Sequence, residues 1–178
     1  MALKEIHDKT CIRWVPRSNE TDYVVFIRDE GCYSHVGRVG GRQNVSLGEG
    51  CLYHGTVLHE MGHALGYEHE HMRSDRDKYL TVYKENILQD ELDQFTKLKP
   101  RSNRLLTPFD YDSVMLYGST VFGKEEDSIT MTKKDGGILV ETYDKTELSP
   151  SDVTEMNLLY KCPGTRAKSD VAKRKRTG

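Results

Sequence analysis

The residues best suited to chemistry are His59, Glu60, His63 and His69, gathered in His59-Glu60-Met61-Gly62-His63-Ala64-Leu65-Gly66-Tyr67-Glu68-His69. Side chains four apart share one face of an α-helix, so His59 and His63 aim two imidazoles at one point. Glu60 stands beside them and reaches a water on a bound metal without being a ligand. On an unbroken helix His69 would lie about 9 Å further along the axis than His63, too far to share an ion. Gly66 resolves this, because glycine accepts positive φ and is the usual helix stop. The chain turns there and brings His69 back. Three neutral histidines leave one position open, the catalytic pattern of zinc rather than the closed structural one. A surface helix carrying histidines by chance is the plain alternative. Five fixed positions, glycine and third histidine included, are much harder to reach by accident.

The elements that must position these residues follow from periodicity and turn chemistry. Tyr53 to Gly66 is the helix that carries the pair. Ala2 to Lys9 has the pattern of an amphipathic helix with Leu3 and Ile6 on one face, and lacks a start signal. Cys11 to Val15 and Tyr23 to Ile27 are β-branched and aromatic runs, hence expected strands. Between Gly31 and Gly50 lie two extended pieces, around Cys32 to Val36 and Asn44 to Leu47. The second is expected near a sheet edge, where an extended peptide can add as a strand. An ordinary hairpin explains the same residues. Arg73-Ser74-Asp75-Arg76-Asp77 is a charge cluster, read either as a solvated face or as an ion-pair network steadying the turn after His69. Glu91 to Leu98 reads as a short helix. Ser149, Pro150 and Asp152 open a last helix as N-cap, first residue and first-turn acid. Its stripe of Val153, Met156, Asn157 and Tyr160 faces the body.

Composition narrows the class. The chain has 178 residues, 36% hydrophobic and 30% charged. That suits one globular domain, residues 1–165, followed by a basic tail, 166–178, expected to be disordered. No apolar run nears the ~20 residues of a membrane span. The tail holds six basic residues against one acid, leaving a body with 20 basic and 27 acidic residues, a net charge of −7. Outside the tail nothing supports nucleic-acid binding. Cys11, Cys32, Cys51 and Cys162 contain no CxxC pair and fit two disulfides in any of three connectivities. The sequons at Asn19 and Asn44 add N-glycosylation as an expectation and point to a secreted, oxidising setting. Met1 to Glu5 lacks the apolar core of a signal peptide, so the chain reads as a piece of a longer precursor.

From His59 to Asp77 the sequence resembles the astacin family of zinc metalloendopeptidases, within the metzincin clan, through HExxHxxGxxHE followed by RxDRD. Cys11-Ile12-Arg13-Trp14-Val15-Pro16, Cys32-Tyr33-Ser34-His35-Val36-Gly37-Arg38 and Ser113-Val114-Met115-Leu116-Tyr117-Gly118 carry the likeness over residues 1 to 162. The resemblance implies an α+β zincin with two lobes flanking a cleft. The N-terminal lobe would hold a mixed twisted sheet and the catalytic helix; the C-terminal lobe would be largely irregular with a final helix. It implies one Zn2+ on His59, His63 and His69, with Tyr117 as an additional, movable ligand that stabilises the oxyanion. Glu60 would be the general base acting on zinc-bound water. Met115 would be the Met-turn floor under the histidines, a role compatible with an ordinary core methionine. Glu70 matches a residue that contacts the N-terminus freed by propeptide removal. The implied disulfides are Cys11–Cys162 and Cys32–Cys51, the first stabilising by roughly 4–5 kcal/mol in the chain-entropy model.

Three departures stand out. Leu116 occupies a position where the family carries histidine. Tyr67-Glu68 replaces an aromatic pair and brings a carboxylate near the third ligand. The chain begins within what resembles the family's first long helix. The implied function is a secreted, monomeric zinc endopeptidase acting on extended peptide or protein substrates, made with a propeptide. A catalytically impaired partner-binding module of the same fold, and a zinc hydrolase for non-peptide substrates, are the rival readings.

Overall fold

The computed structural model describes residues 1–165; the basic tail lies outside them. Helix α1 (Ala2–Lys9) buries Ala2 and Ile6, one turn apart, and leaves Leu3 exposed. The inward stripe is thus the i, i+4 pair, not Leu3 with Ile6. A three-stranded sheet follows in the order β1 (Tyr23–Ile27), β3 (Arg42–Leu47), β2 (Cys32–Ser34). Strand β3 runs parallel to β1, with Tyr23 opposite Arg42, and antiparallel to β2, with Cys32 opposite Leu47. The Asn44 to Leu47 segment is therefore central, and the expected edge belongs to β2 instead. Parallel pairing with β1 requires a long connection, and residues 28–41 of that connection fold back to supply β2.

Cys11 to Val15 is not a strand, because its backbone is already engaged. Cys11 N–H meets Cys162 Sγ, Ile12 N–H donates to Thr10 Oγ1, and Trp14 N–H donates to His7 Nε2. Arg13 Nη1 donates to the carbonyls of His7, Thr10 and Ile12. No ladder partner is needed once these groups are satisfied.

Helix α2 (His54–Ala64) is buried almost all round, from Gly55 and Thr56 through His63. It packs with α1, Ile12 and helix α3 (Pro150–Leu159) into one apolar cluster that includes Leu58, Met61, Val114, Met115 and Met156. A second cluster gathers Leu80, Leu116, Met131 and Leu139 around strands β4 (Leu80–Val82) and β5 (Met131–Lys133). The two clusters are separate. Around the second the chain is short 3-10 turns and loops. Gln89–Phe95 is 3-10 rather than the expected helix from Glu91. Its end is held by side chains of the preceding turn: His71 Nε2 and Arg76 Nη1 bond the carbonyls of Gln94 and Phe95. Helix α3 opens on a full capping box between Ser149 and Asp152, with Pro150 first. Disulfides join Cys11 to Cys162 and Cys32 to Cys51.

Candidate active site

Gly66 has φ +106, a left-handed value suited to glycine, and the chain reverses there. Tyr67 N–H returns to the Gly62 carbonyl, and Gly66 N–H bonds the His63 carbonyl. The reversal brings His69 against the helix. The Nε2 atoms of His59, His63 and His69 lie 3.0–3.1 Å from one another, all on buried side chains.

The outer nitrogens decide what these contacts are. His59 Nδ1 is 2.7 Å from the Val114 carbonyl, and His63 Nδ1 is 2.7 Å from the Tyr67 carbonyl. A carbonyl only accepts, so both Nδ1 atoms carry the proton and both Nε2 atoms present bare lone pairs. Lone pairs this close repel unless a cation lies between them. Tetrahedral ligands about 2.0–2.1 Å from one zinc stand some 3.3 Å apart, close to what is seen. Burial, then neighbouring imidazoles, hold His59 and His69 far below the usual histidine range, and burial lowers His63 too. Neutral imidazole is the form that binds metal. The three residues fit zinc.

Glu60 is buried, and its Oε2 has no hydrogen-bond partner. Burial raises its carboxyl to about 8. Met115 lies under the helix, its Sδ 2.6 Å from where a Cβ on Gly62 would stand. Glycine at that position lets the Met-turn reach the helix between Glu60 and His63. The half-buried Tyr117 ring lies 4.2 Å from the His69 ring and 4.4 Å from His71. Burial, followed by the charges of Glu60 and Glu91, keeps its hydroxyl protonated well above the usual range.

These distances place the sequence-predicted metal residues together, with Met115 beneath and Tyr117 alongside. Residues 1–161 match the model of the peptidase family described as "Astacin". The chain belongs to the astacin family. It is 44% identical over 166 residues to astacin-like metalloprotease toxin 1 of Loxosceles intermedia, covering 91% of this chain and 63% of the toxin. It is 41% identical over 166 residues to zinc metalloproteinase nas-4 of Caenorhabditis elegans, covering 92% of this chain and 52% of the relative. The chain thus spans less than two thirds of the length of either relative. The solved structure of high choriolytic enzyme 1, a hatching enzyme zinc-protease of Oryzias latipes, superposes with a TM-score of 0.84 at 38% identity. That match covers 90% of this chain and 80% of the other. The astacin-family cofactor is a single zinc, and the histidine triad is the metal-competent cluster among the described residues.

Several residues depart from the sequence reading or extend it. Glu68 is exposed and lines, with His69, the cavity beside the third histidine. Leu116 packs into the second core and its carbonyl takes Lys145 Nζ at 2.6 Å. Arg73 and Arg76 are buried, not a solvated face. Arg73 bonds Glu70, Asp75 and the Thr107 carbonyl; Arg76 bonds the His71 and Phe95 carbonyls. Glu70 Oε1 accepts from Arg73 and from Asp110 N–H. Asn19 is exposed, whereas Asn44 is half-buried in central strand β3 with its Oδ1 buried and unpaired. Behind His69 lies a cavity of about 290 Å3 lined by Tyr67, Glu70, Arg73, Ser113 and Glu155. Sequence reasoning gives Asp152 only a capping role. Its carboxylate also accepts from Ser113 Oγ and Val114 N–H, so it holds the loop whose carbonyl orients His59. The Ser149–Asp152 box is a local signal for the cap, and it says nothing of this distant partner.

Proposed function

We propose that this chain is the catalytic domain of a secreted, monomeric zinc endopeptidase, residues 1–165, made as a precursor with a propeptide. The observation that carries the reading is the closure of three Nε2 atoms to 3.0–3.1 Å beside a buried carboxylate oxygen with no partner. His59, His63 and His69 would hold the zinc, with Tyr117 as a further, movable ligand. When bound, zinc supplies Lewis-acid polarisation of the scissile carbonyl and lowers the pKa of water at the open position. Glu60 takes the proton of the attacking water and hands it to the leaving amine. Tyr117, kept protonated, donates to the developing oxyanion.

Strand β2 is an edge of the sheet, as is β1, and Gly37, just after β2, donates its N–H to the His63 carbonyl at 2.7 Å. An extended substrate pairing with β2 is thereby led toward the histidines. Glu70 and Glu155 both face the cavity behind His69, where an ammonium freed by propeptide removal is the fitting partner.

Metal analysis of the purified protein, together with cleavage of a peptide library before and after chelation, tests the reading. One zinc per chain and hydrolysis that chelation abolishes are expected. Hydrolysis that survives complete zinc removal overturns it.

A further inference from the structure

Lys145 follows the 3-10 turn Thr142–Asp144 and is 8% exposed, unusually deep for a lysine. Its Nζ donates to the Ser113 carbonyl at 2.7 Å and to the Leu116 carbonyl at 2.6 Å, bridging the two ends of the Met-turn. It forms no ion pair among the described residues, so these two carbonyls are its principal partners. On its other side the Lys145 backbone presses on α2. A Cβ on Gly55 would stand 2.5 Å from the Lys145 carbonyl oxygen and 3.2 Å from its Cβ. Gly55 is one helical turn before His59 on the same face.

We infer that Lys145 is a positioning residue that locks the Met-turn to the zinc-binding helix. Asp152 satisfies donors of the turn, Ser113 Oγ and Val114 N–H; Lys145 satisfies its acceptors. Between the two bridged carbonyls lies that of Val114, which takes the His59 Nδ1 proton at 2.7 Å. Met115 offers its own carbonyl to Glu70 N–H and its sulfur to Gly62. Removing the ammonium strips both carbonyls of their charged donor, leaving the Ser113 carbonyl with Leu116 N–H at 3.1 Å and the Leu116 carbonyl with Thr142 Oγ1 at 3.3 Å, and so frees the turn to rotate. The Val114 carbonyl then ceases to fix the His59 tautomer and ring plane, which is how outer partners tune a metal ligand. The inference rests on the metallopeptidase reading.

The test measures zinc content, the rate of zinc release to a chromophoric chelator, and kcat and KM. The proteins are wild type, Lys145→Met, Lys145→Arg and, as a surface control in the same loop, Glu147→Gln. Lys145→Met should load zinc and keep the near-UV spectrum of wild type. It should release zinc faster by roughly 10- to 100-fold, with kcat lowered and KM little changed. Arginine, donating from the end of a comparably long stem, should slow release again, and Glu147→Gln should match wild type. Release from folded Lys145→Met at the wild-type rate overturns the inference, as does Lys145→Arg releasing as fast as Lys145→Met. Should Lys145→Met not fold, Lys145→Gln takes its place, with wild-type release again fatal. A wild-type protein that takes up no zinc sinks the metallopeptidase reading first, a failure visible before any variant is compared.

Discussion

Met115 and Leu116 are neighbours in the chain, yet Met115 belongs to the core around α2 and Leu116 to the core around β4 and β5. The boundary between the two apolar clusters falls at the peptide bond joining them. The Met115 sulfur also occupies the space beside Gly62. Alanine normally favours a helix over glycine by up to about 1 kcal/mol. At position 62 the sign should reverse. Gly62→Ala drives a methyl into Met115 Sδ, and overpacking of this kind costs about 1–3 kcal/mol. Thermal melts should show Gly62→Ala less stable than wild type, and Met115→Ala in the same chain should recover part of the loss. A more stable Gly62→Ala would refute the contact.

Glu60→Gln tests the proton carrier. The amide fits the same space and cannot take a proton, so zinc content should stay at one per chain while kcat falls by about 100-fold or more. Near-normal turnover in this variant would remove Glu60 from the mechanism.

For Tyr117 the hydroxyl alone is at issue. Tyr117→Phe keeps the ring against His69 and His71. Loss of one oxyanion donor should lower kcat by about 100-fold with KM scarcely altered. Equal effects on kcat and KM, or none, would assign the residue to packing.

Glu155 supplies a pH prediction. Burial, only partly offset by Arg73, raises its carboxyl from the ordinary 4.5 to about 7. Between those values the folded chain holds a proton that the unfolded chain has released, so stability falls as pH rises through the window. Glu155→Gln removes this penalty. The variant should be more stable than wild type by about 1–3 kcal/mol at pH 8 and nearly equal to it at pH 4. Denaturant titrations at the two pH values check it. A difference independent of pH would show that Glu155 is not ionising inside the fold.

The site is largely legible in the sequence because its residues obey local rules. Helical spacing pairs His59 with His63, and a positive-φ glycine returns His69. The capping signal at Ser149 is local in the same way. What escapes are partnerships set by the far side of the molecule. Cys11 to Val15 has strand-like residues, but Arg13 and His7 take the hydrogen bonds a ladder would need. Strand β3 reads as an edge because nothing in its own residues reveals that β1 reaches it through a long crossover. Lys145 and Asp152 lie far along the chain from the turn they hold, and a buried lysine bonded to carbonyls leaves no periodic trace. The charge cluster of Arg73 and Arg76 reads equally as a solvated face or an ion-pair network for the same reason: their acceptors include main-chain oxygens elsewhere.

The bond between Cys11 and Cys162 lends the molecule a further property. It ties the end of α1 to the turn after α3 across 151 positions, and both helices pack on the one bearing the ligands. Reductant should therefore act on the histidine cluster at a distance. Opening this clasp loosens the scaffold behind the histidines while every metal-binding atom stays chemically intact, so activity would fade through slackness rather than through damage to the chemistry.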